Sequence, residues 1–190
     1  MDVKKQLRIP NCTVLSSSFN RPNLRYFVRP KSRKSIDDIA TIIKETHRGS
    51  SGIIYCFSKD ECERMSDALQ KLDIAADFYH AGLTPQQREI VQKAWTSGTV
   101  QVICATIAFG MGINKANVRF VIHNSLPKSL EGYFQETGRA GRDGKEADCV
   151  LFYAYSDKAK IERLTAKGKR DMSADQYHVR GCDFRVFSGV

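Results

Sequence analysis

Two arginines three residues apart, Arg139 and Arg142, stand in the glycine-rich run Gln135-Glu-Thr-Gly-Arg-Ala-Gly-Arg-Asp-Gly144. Glycine lets a backbone approach a ligand closely. Arginine brings a permanent charge and a planar fork of donors that matches phosphate oxygens. In a phosphoryl-transfer enzyme such an arginine neutralises charge that gathers in the transition state. A loop of solvated charges is the plain alternative, and Arg-Ala-Gly-Arg alone does not separate the two.

The elements around this run indicate what must position it. Short apolar runs alternate with amphipathic ones from about residue 50. Strands are expected at Gly52–Cys56, Ala75–Tyr79, Val100–Ala105, Val118–His123 and Asp148–Tyr153. Between them, a helix from Lys59 to Leu72 would turn Cys62, Met65 and Leu69 inward. Thr84-Pro-Gln-Gln87 predicts a capped start to a helix that ends at Gly98 and buries Ile90, Val91 and Ala94. Ser129–Thr137 should form a short helix leading into the two arginines. A helix at Ile36–Glu45 and an edge strand at Leu24–Val28 complete the pattern upstream. Continuous apolar strands separated by helices imply an α/β fold, with a mainly parallel sheet covered on both faces. Residues 2–8 look like the end of a helix, and Lys158–Lys169 like a basic one. Asp171–Val190 shows no period.

The bulk properties fit one domain with extensions. The chain has 190 residues and a net charge of +9, and no apolar run approaches the ~20 residues of a membrane span. Residues 1–34 carry nine Lys and Arg against the single acid Asp2. Such an excess points to a polyanionic partner, nucleic acid above all. The six cysteines form no CxxC pair and no zinc-like cluster. Cys56, Cys104 and Cys149 fall in or beside strand-like runs, where a thiol behaves as a small buried hydrophobe. Phe109, Phe120, Tyr133 and Phe134 are expected in packing and Arg88 on a helix surface.

In an open parallel sheet, ligands gather beyond the C-terminal strand ends. There the chain places Phe57-Ser-Lys59, His80-Ala-Gly-Leu83, Thr106-Ile-Ala-Phe-Gly-Met-Gly-Ile-Asn114 and Asn124-Ser-Leu-Pro-Lys128. These segments, in this order, resemble the second motor lobe of the RecQ family of DNA helicases. Ile53–Ser58 is similar to motif IV, and His80–Leu83 with Arg88 to the segment after it. Val102–Ile113 is similar to motif V and Gln135–Gly144 to motif VI. Ser18-Phe-Asn-Arg-Pro-Asn-Leu24 is also RecQ-like. The resemblance spans about residues 2–155.

The resemblance implies a RecA-like three-layer α/β/α lobe over residues 35–156. Residues 1–34 would link the lobes, and 157–190 would be a basic helix with an irregular tail. It gives Arg142 the role of arginine finger on the ATP γ-phosphate, with Arg139 beside it. Gln135, Gly110, Gly112 and Asn114 would face the nucleotide. Asn114 departs from the family, which usually has Asp there; the amide accepts a hydrogen bond but lacks the charge, so weaker nucleotide affinity or slower turnover is expected. Ser58, His80, Thr106 and Lys128 are the implied DNA contacts. Thr106 as a turn cap and His80 as a packed, locally bonded histidine remain open alternatives.

No GxxxxGK[ST] phosphate loop and no acidic metal-binding box occur in the chain. In the family these belong to the first RecA-like lobe, which would hold ATP and Mg2+. This chain is expected to be inactive alone and to hold no zinc. With its partner lobe it would drive 3′-to-5′ unwinding, touching single-stranded and duplex DNA. The place of action would be nuclear in a eukaryote and cytoplasmic otherwise, with no membrane association. The rival reading is a non-catalytic nucleic-acid-binding or interaction module derived from a superfamily 2 helicase.

Overall fold

The computed structural model describes residues 6, 8, 12–13, 20–110 and 115–159. The expectations for residues 2–8, most of Lys158–Lys169, Asp171–Val190, Gly112 and Asn114 lie wholly or mostly outside them. Among the described residues, six strands and four principal helices follow one another, alternating except where the fourth strand is followed directly by the fifth. They are β1 (Leu24–Pro30), α1 (Ser35–Glu45), β2 (Ser51–Tyr55), α2 (Lys59–Lys71), β3 (Ala76–Tyr79), α3 (Pro85–Ser97), β4 (Val102–Ala105), β5 (Val118–His123), α4 (Leu130–Thr137) and β6 (Ala147–Tyr153). The strands form one sheet in the order β1-β6-β5-β2-β4-β3, and every adjacent pair is parallel.

Alternation along the strands divides the core. Ile54, Val102, Cys104, Phe120, Ile122, Val150 and Phe152 pack on one face against α1 and α2, which contribute Ile39, Ile43, Cys62, Met65 and Leu69. Ile53, Tyr55, Ile103, Val121 and Cys149 face the other way, toward Val91 and Trp95 of α3 and toward Phe109. Burying each large side chain stabilises by about 1.5–3 kcal/mol. A Cβ at Gly52 would fall inside the Phe120 ring, so the central strand needs its glycine for packing. Cys62 of α2, Cys104 of β4, Cys149 of β6 and Cys56 just past β2 are free and buried. Burial pushes the Cys149 thiol up to about 12.

The caps of α3 follow the expected pattern. Thr84 and Gln87 form a complete capping box, and Gly98 adopts a left-handed φ of 92°. Its buried face differs: Val91 and Trp95 point inward, Ala94 is only half-buried and Ile90 is 67% exposed. Trp95 fixes this phase by donating from Nε1 to the Gly52 carbonyl at 3.2 Å. β4 starts two residues late, since the Val100 N–H still bonds to Ala94 of the helix before it. Phe134 is half exposed, because α4 presents Tyr133, Glu136 and Thr137 inward instead. Arg88 is half-buried, not a free surface residue, with its Nε shielded from solvent.

Candidate functional site

Helix α4 delivers the arginine run. Ser129 caps it by accepting from the Gly132 N–H at 3.0 Å. Buried Glu136 bonds to His123 Nε2 of β5 at 2.8 Å, tying the last turn to the sheet. The Thr137 hydroxyl donates back to the Tyr133 carbonyl at 2.9 Å. The chain then leaves the helix through tight turns, Arg139 N to Glu136 O and Ala140 N to Thr137 O. At Gly141, φ is +55°, and an added Cβ would lie 2.5 Å from Asn23 Nδ2 and 2.7 Å from the Lys145 carbonyl. Only glycine satisfies both conditions.

Distant residues hold this loop. The Gly141 N–H bonds to Val118 O and the Asp143 N–H to Ala116 O, so the loop backbone seats at the start of β5. Arg119 donates to Asp143 Oδ1 at 2.6 Å and to the Glu146 carbonyl at 3.0 Å. From the other side, Arg21 Nη2 donates to the carbonyls of Ala140 (3.1 Å) and Gly141 (2.7 Å). Asn23 Nδ2 donates to Gly141 O and Lys145 O, both at 2.9 Å. Sequence reading placed Arg21 and Asn23 in a family-like segment but gave them no task. Contacts more than a hundred residues apart leave no local pattern to read.

The structure separates the two arginines. Arg139 is buried, and its Nη1 donates to the Gly110 carbonyl at 2.5 Å. Nearby, the Tyr55 hydroxyl donates to Phe109 O at 3.1 Å; burial raises its pKa, so it stays a neutral donor. Arg142 is exposed. Gln135 is exposed on the last turn of α4, lining a shallow depression with Leu130 and Phe134. Gly110 lies against Arg139, while Gly112 and Asn114 are outside the described residues. Past them, buried Lys115 donates from Nζ to Trp95 O (2.7 Å) and Thr96 O (3.0 Å), anchoring the segment on the last turn of α3.

The other candidates lie beyond the C-terminal strand ends. Thr106 and Lys128 line one cleft, Ser58 lines the next, and Phe57, Ser125 and Leu126 border both. Ser58 caps α2 by accepting from Glu61 N at 3.2 Å. The Thr106 hydroxyl accepts from Ala108 N at 3.4 Å. Lys128 is exposed. His80 is buried: Nδ1 accepts from Gly82 N at 3.2 Å, which leaves Nε2–H to donate to Glu63 at 3.0 Å. Sequence reading passed over Ser125, whose buried hydroxyl has no partner among the described residues. Its place inside the strand-end segment Asn124–Lys128 was the available signal. No group of His, Cys, Asp or Glu suited to a metal is gathered among the described residues, and none of the described helices is long and apolar enough to cross a membrane.

A family model described as "Helicase conserved C-terminal domain" matches residues 34–144. The chain is 53% identical over 165 residues to RecQ-like DNA helicase BLM of Xenopus laevis, covering 86% of this chain and 12% of that protein. It is 51% identical over 167 residues to ATP-dependent DNA helicase Q-like 4B of Arabidopsis thaliana (88% and 14%). To ATP-dependent DNA helicase Q1 of Rattus norvegicus it is 47% identical over 166 residues (86% and 27%). The chain thus spans about a quarter or less of these relatives' lengths. Among solved structures, Saccharomyces cerevisiae dbp5 bound to gle1 and ip6 matches with a TM-score of 0.69 at 20% identity, over 90% of this chain and 44% of that one. A DEAD box protein from Methanococcus jannaschii matches at 0.64 and 21%, over 79% and 41%. These last two likenesses concern the fold.

Proposed function

Since the chain belongs to the helicase conserved C-terminal domain family, in its RecQ branch, we propose that it is the second motor lobe of an ATP-dependent 3′-to-5′ DNA helicase. Arg142 meets the γ-phosphate of an ATP held by the first lobe and neutralises the charge that develops there. An arginine in this role accelerates hydrolysis on the order of a thousandfold or more. The observation that supports this reading is an exposed Arg142 on a loop held from both sides, its Gly141 carbonyl by Arg21 and Asn23 and its Asp143 N–H by the Ala116 carbonyl. A preorganised donor reacts to charge without first being ordered. Arg139 acts beside it as a strut to Gly110, and Gln135, Gly112 and Asn114 border the same nucleotide.

The carboxylates flanking the arginines do not fit a magnesium site. Glu136 is bonded to His123, and Asp143 to Arg119. The ion that accompanies ATP is therefore assigned to the first lobe, and no step here runs through it. Ser58, Thr106 and Lys128 fit phosphate contacts that hold a DNA strand without reading its bases. His80 serves by shaping the turn at residues 80–83. The place of action is then the compartment that holds chromosomal DNA.

The test joins this chain to a RecQ-type first lobe and measures DNA-stimulated ATP hydrolysis. Hydrolysis by the pair, abolished by Arg142→Ala with oligonucleotide binding kept, is the expected result. Near-normal hydrolysis in that variant rejects the role of Arg142.

A further inference from the structure

The stretch ahead of β1 is bonded to the arginine loop by side chains from 117 to 122 residues away in sequence. Arg21 Nη1 reaches Gly138 O at 3.5 Å, while its Nη2 takes the Ala140 and Gly141 carbonyls. Asn23 Nδ2 takes Gly141 O and Lys145 O. The two side chains are tied to each other by Arg21 Nε donating to Asn23 Oδ1 at 3.3 Å. Among the described residues Arg21 has no carboxylate partner, so its charge is spent on carbonyls of this loop. The carbonyls it and Asn23 hold bracket Arg142 on both sides. The nearest, Gly141, immediately precedes Arg142 and adopts the left-handed conformation.

We infer that Arg21 and Asn23 are positioning residues for Arg142. The inference rests on the role proposed above for that arginine. The clamp fixes the direction in which the backbone presents residue 142. It also makes the path of the chain ahead of β1 part of the catalytic geometry, because Leu24 N bonds to Arg21 O and Ala147 N to Asn23 O. A shift of residues 21–23 relative to the sheet moves the loop with it. A misplacement of about an ångström costs roughly tenfold to a hundredfold in rate.

The experiment uses the two-lobed protein, with Arg21→Gln, Arg21→Lys and Asn23→Ala, each alone and combined with Arg142→Ala. Steady-state ATP hydrolysis with a DNA oligonucleotide gives kcat and KM separately, alongside oligonucleotide affinity and thermal midpoint. Arg21→Gln should lower kcat about tenfold or more, with KM for ATP and DNA affinity within about threefold. Arg21→Lys should recover part of the loss, and Asn23→Ala should show a smaller loss of the same kind. On an Arg142→Ala background Arg21→Gln should add nothing to the residual rate, since it acts through that arginine. Unchanged kcat in a folded Arg21→Gln protein, or a further independent loss on that background, overturns the inference. Loss of the fold in both Arg21→Lys and Asn23→Ala assigns the clamp to stability alone and overturns it too. If Arg142→Ala itself remains active, the role of Arg142 fails; if it is inactive while Arg21→Gln is fully active, only the clamp fails.

Discussion

Arg139 and Gly110 are joined across 29 residues by a guanidinium-to-carbonyl hydrogen bond, and a Cβ at Gly110 would lie 2.9 Å from the Arg139 Nη2 atom. The buried arginine of the pair therefore links the loop after α4 to the loop after β4. Its exposed neighbour Arg142 has a different setting. Two arginines that look equivalent in sequence divide into a buried one, engaged with a neighbouring loop, and an exposed one.

That division predicts unequal stability effects. Arg139→Ala strands the Gly110 carbonyl and removes a charge-assisted bond, at a cost of about 1.5–3 kcal/mol. Arg142→Ala should cost less, since its side chain is exposed. Urea unfolding of the 190-residue chain measures both. Equal losses for the two variants would contradict the assignment.

Gly110→Ala should act on Arg139 without dismantling the fold. The obstructing atom is the far end of a flexible side chain, so the guanidinium swings aside and its bond to Gly110 O is lost. In the two-lobed protein, hydrolysis should fall severalfold and the thermal midpoint should drop by several degrees, since the same charge-assisted bond, worth about 1.5–3 kcal/mol, is lost. Full activity with an unmoved midpoint would show that the Arg139 strut has no mechanical role.

How the sequence and structure relate can be judged from these same residues. Periodicity located the six strands and the four helices α1–α4 of the described residues, and capping chemistry at Thr84, Gln87 and Gly98 marked both ends of α3. Those signals are local, set by a few successive residues. Helix phase was less legible: Ile90 looks like a core residue, yet Trp95 takes the inward position because it finds a carbonyl on β2. Phe134 misleads in the same way, since only one face of the short α4 meets the sheet. The candidate site was legible as a set of segments. The bonds that draw them together, from Arg21 and Asn23 across more than a hundred residues and from Arg119 across more than twenty, leave no pattern in either segment.

Arg142→Lys separates charge from shape. Lysine keeps the positive charge but lacks the planar fork that engages two oxygens together. In the two-lobed protein it should lose most of the hydrolysis that Arg142→Ala loses, with DNA affinity retained. Recovery of near-normal turnover would mean that charge alone suffices at this position.

Lys115→Met tests the anchor behind the motif V loop. The ammonium caps the last turn of α3 through Trp95 O and Thr96 O and lies 5.2 Å from the Trp95 ring centroid. A cation at a helix C-terminus is favourable, and bonds from a charged donor are worth about 1.5–3 kcal/mol. Burial lowers the Lys115 pKa, so desolvation offsets part of that gain, and the loss should sit near the lower figure. Chemical denaturation of Lys115→Met against wild type decides; a variant as stable as wild type removes the anchor from the account.

His47 gives the lobe a pH dependence of definite sign. Its Nε2 bonds to Asp148 Oδ2 at 3.0 Å, and its ring lies 4.9 Å from that of Phe120. Burial lowers its pKa below the ordinary imidazole value, and the attraction of Asp148 offsets only part of this. The unfolded chain therefore takes up the proton first as pH falls. The stability linked to neutral His47 is complete above about pH 6.5 and drains away as the pH drops toward the lowered folded-state value. Below that value the group contributes no further slope. Unfolding free energies of wild type should decline on acidification through this window. His47→Gln keeps a polar side chain without a titrating ring, and should flatten that part of the curve at some cost in overall stability. An unaltered slope in the variant would place the pH dependence elsewhere in the lobe.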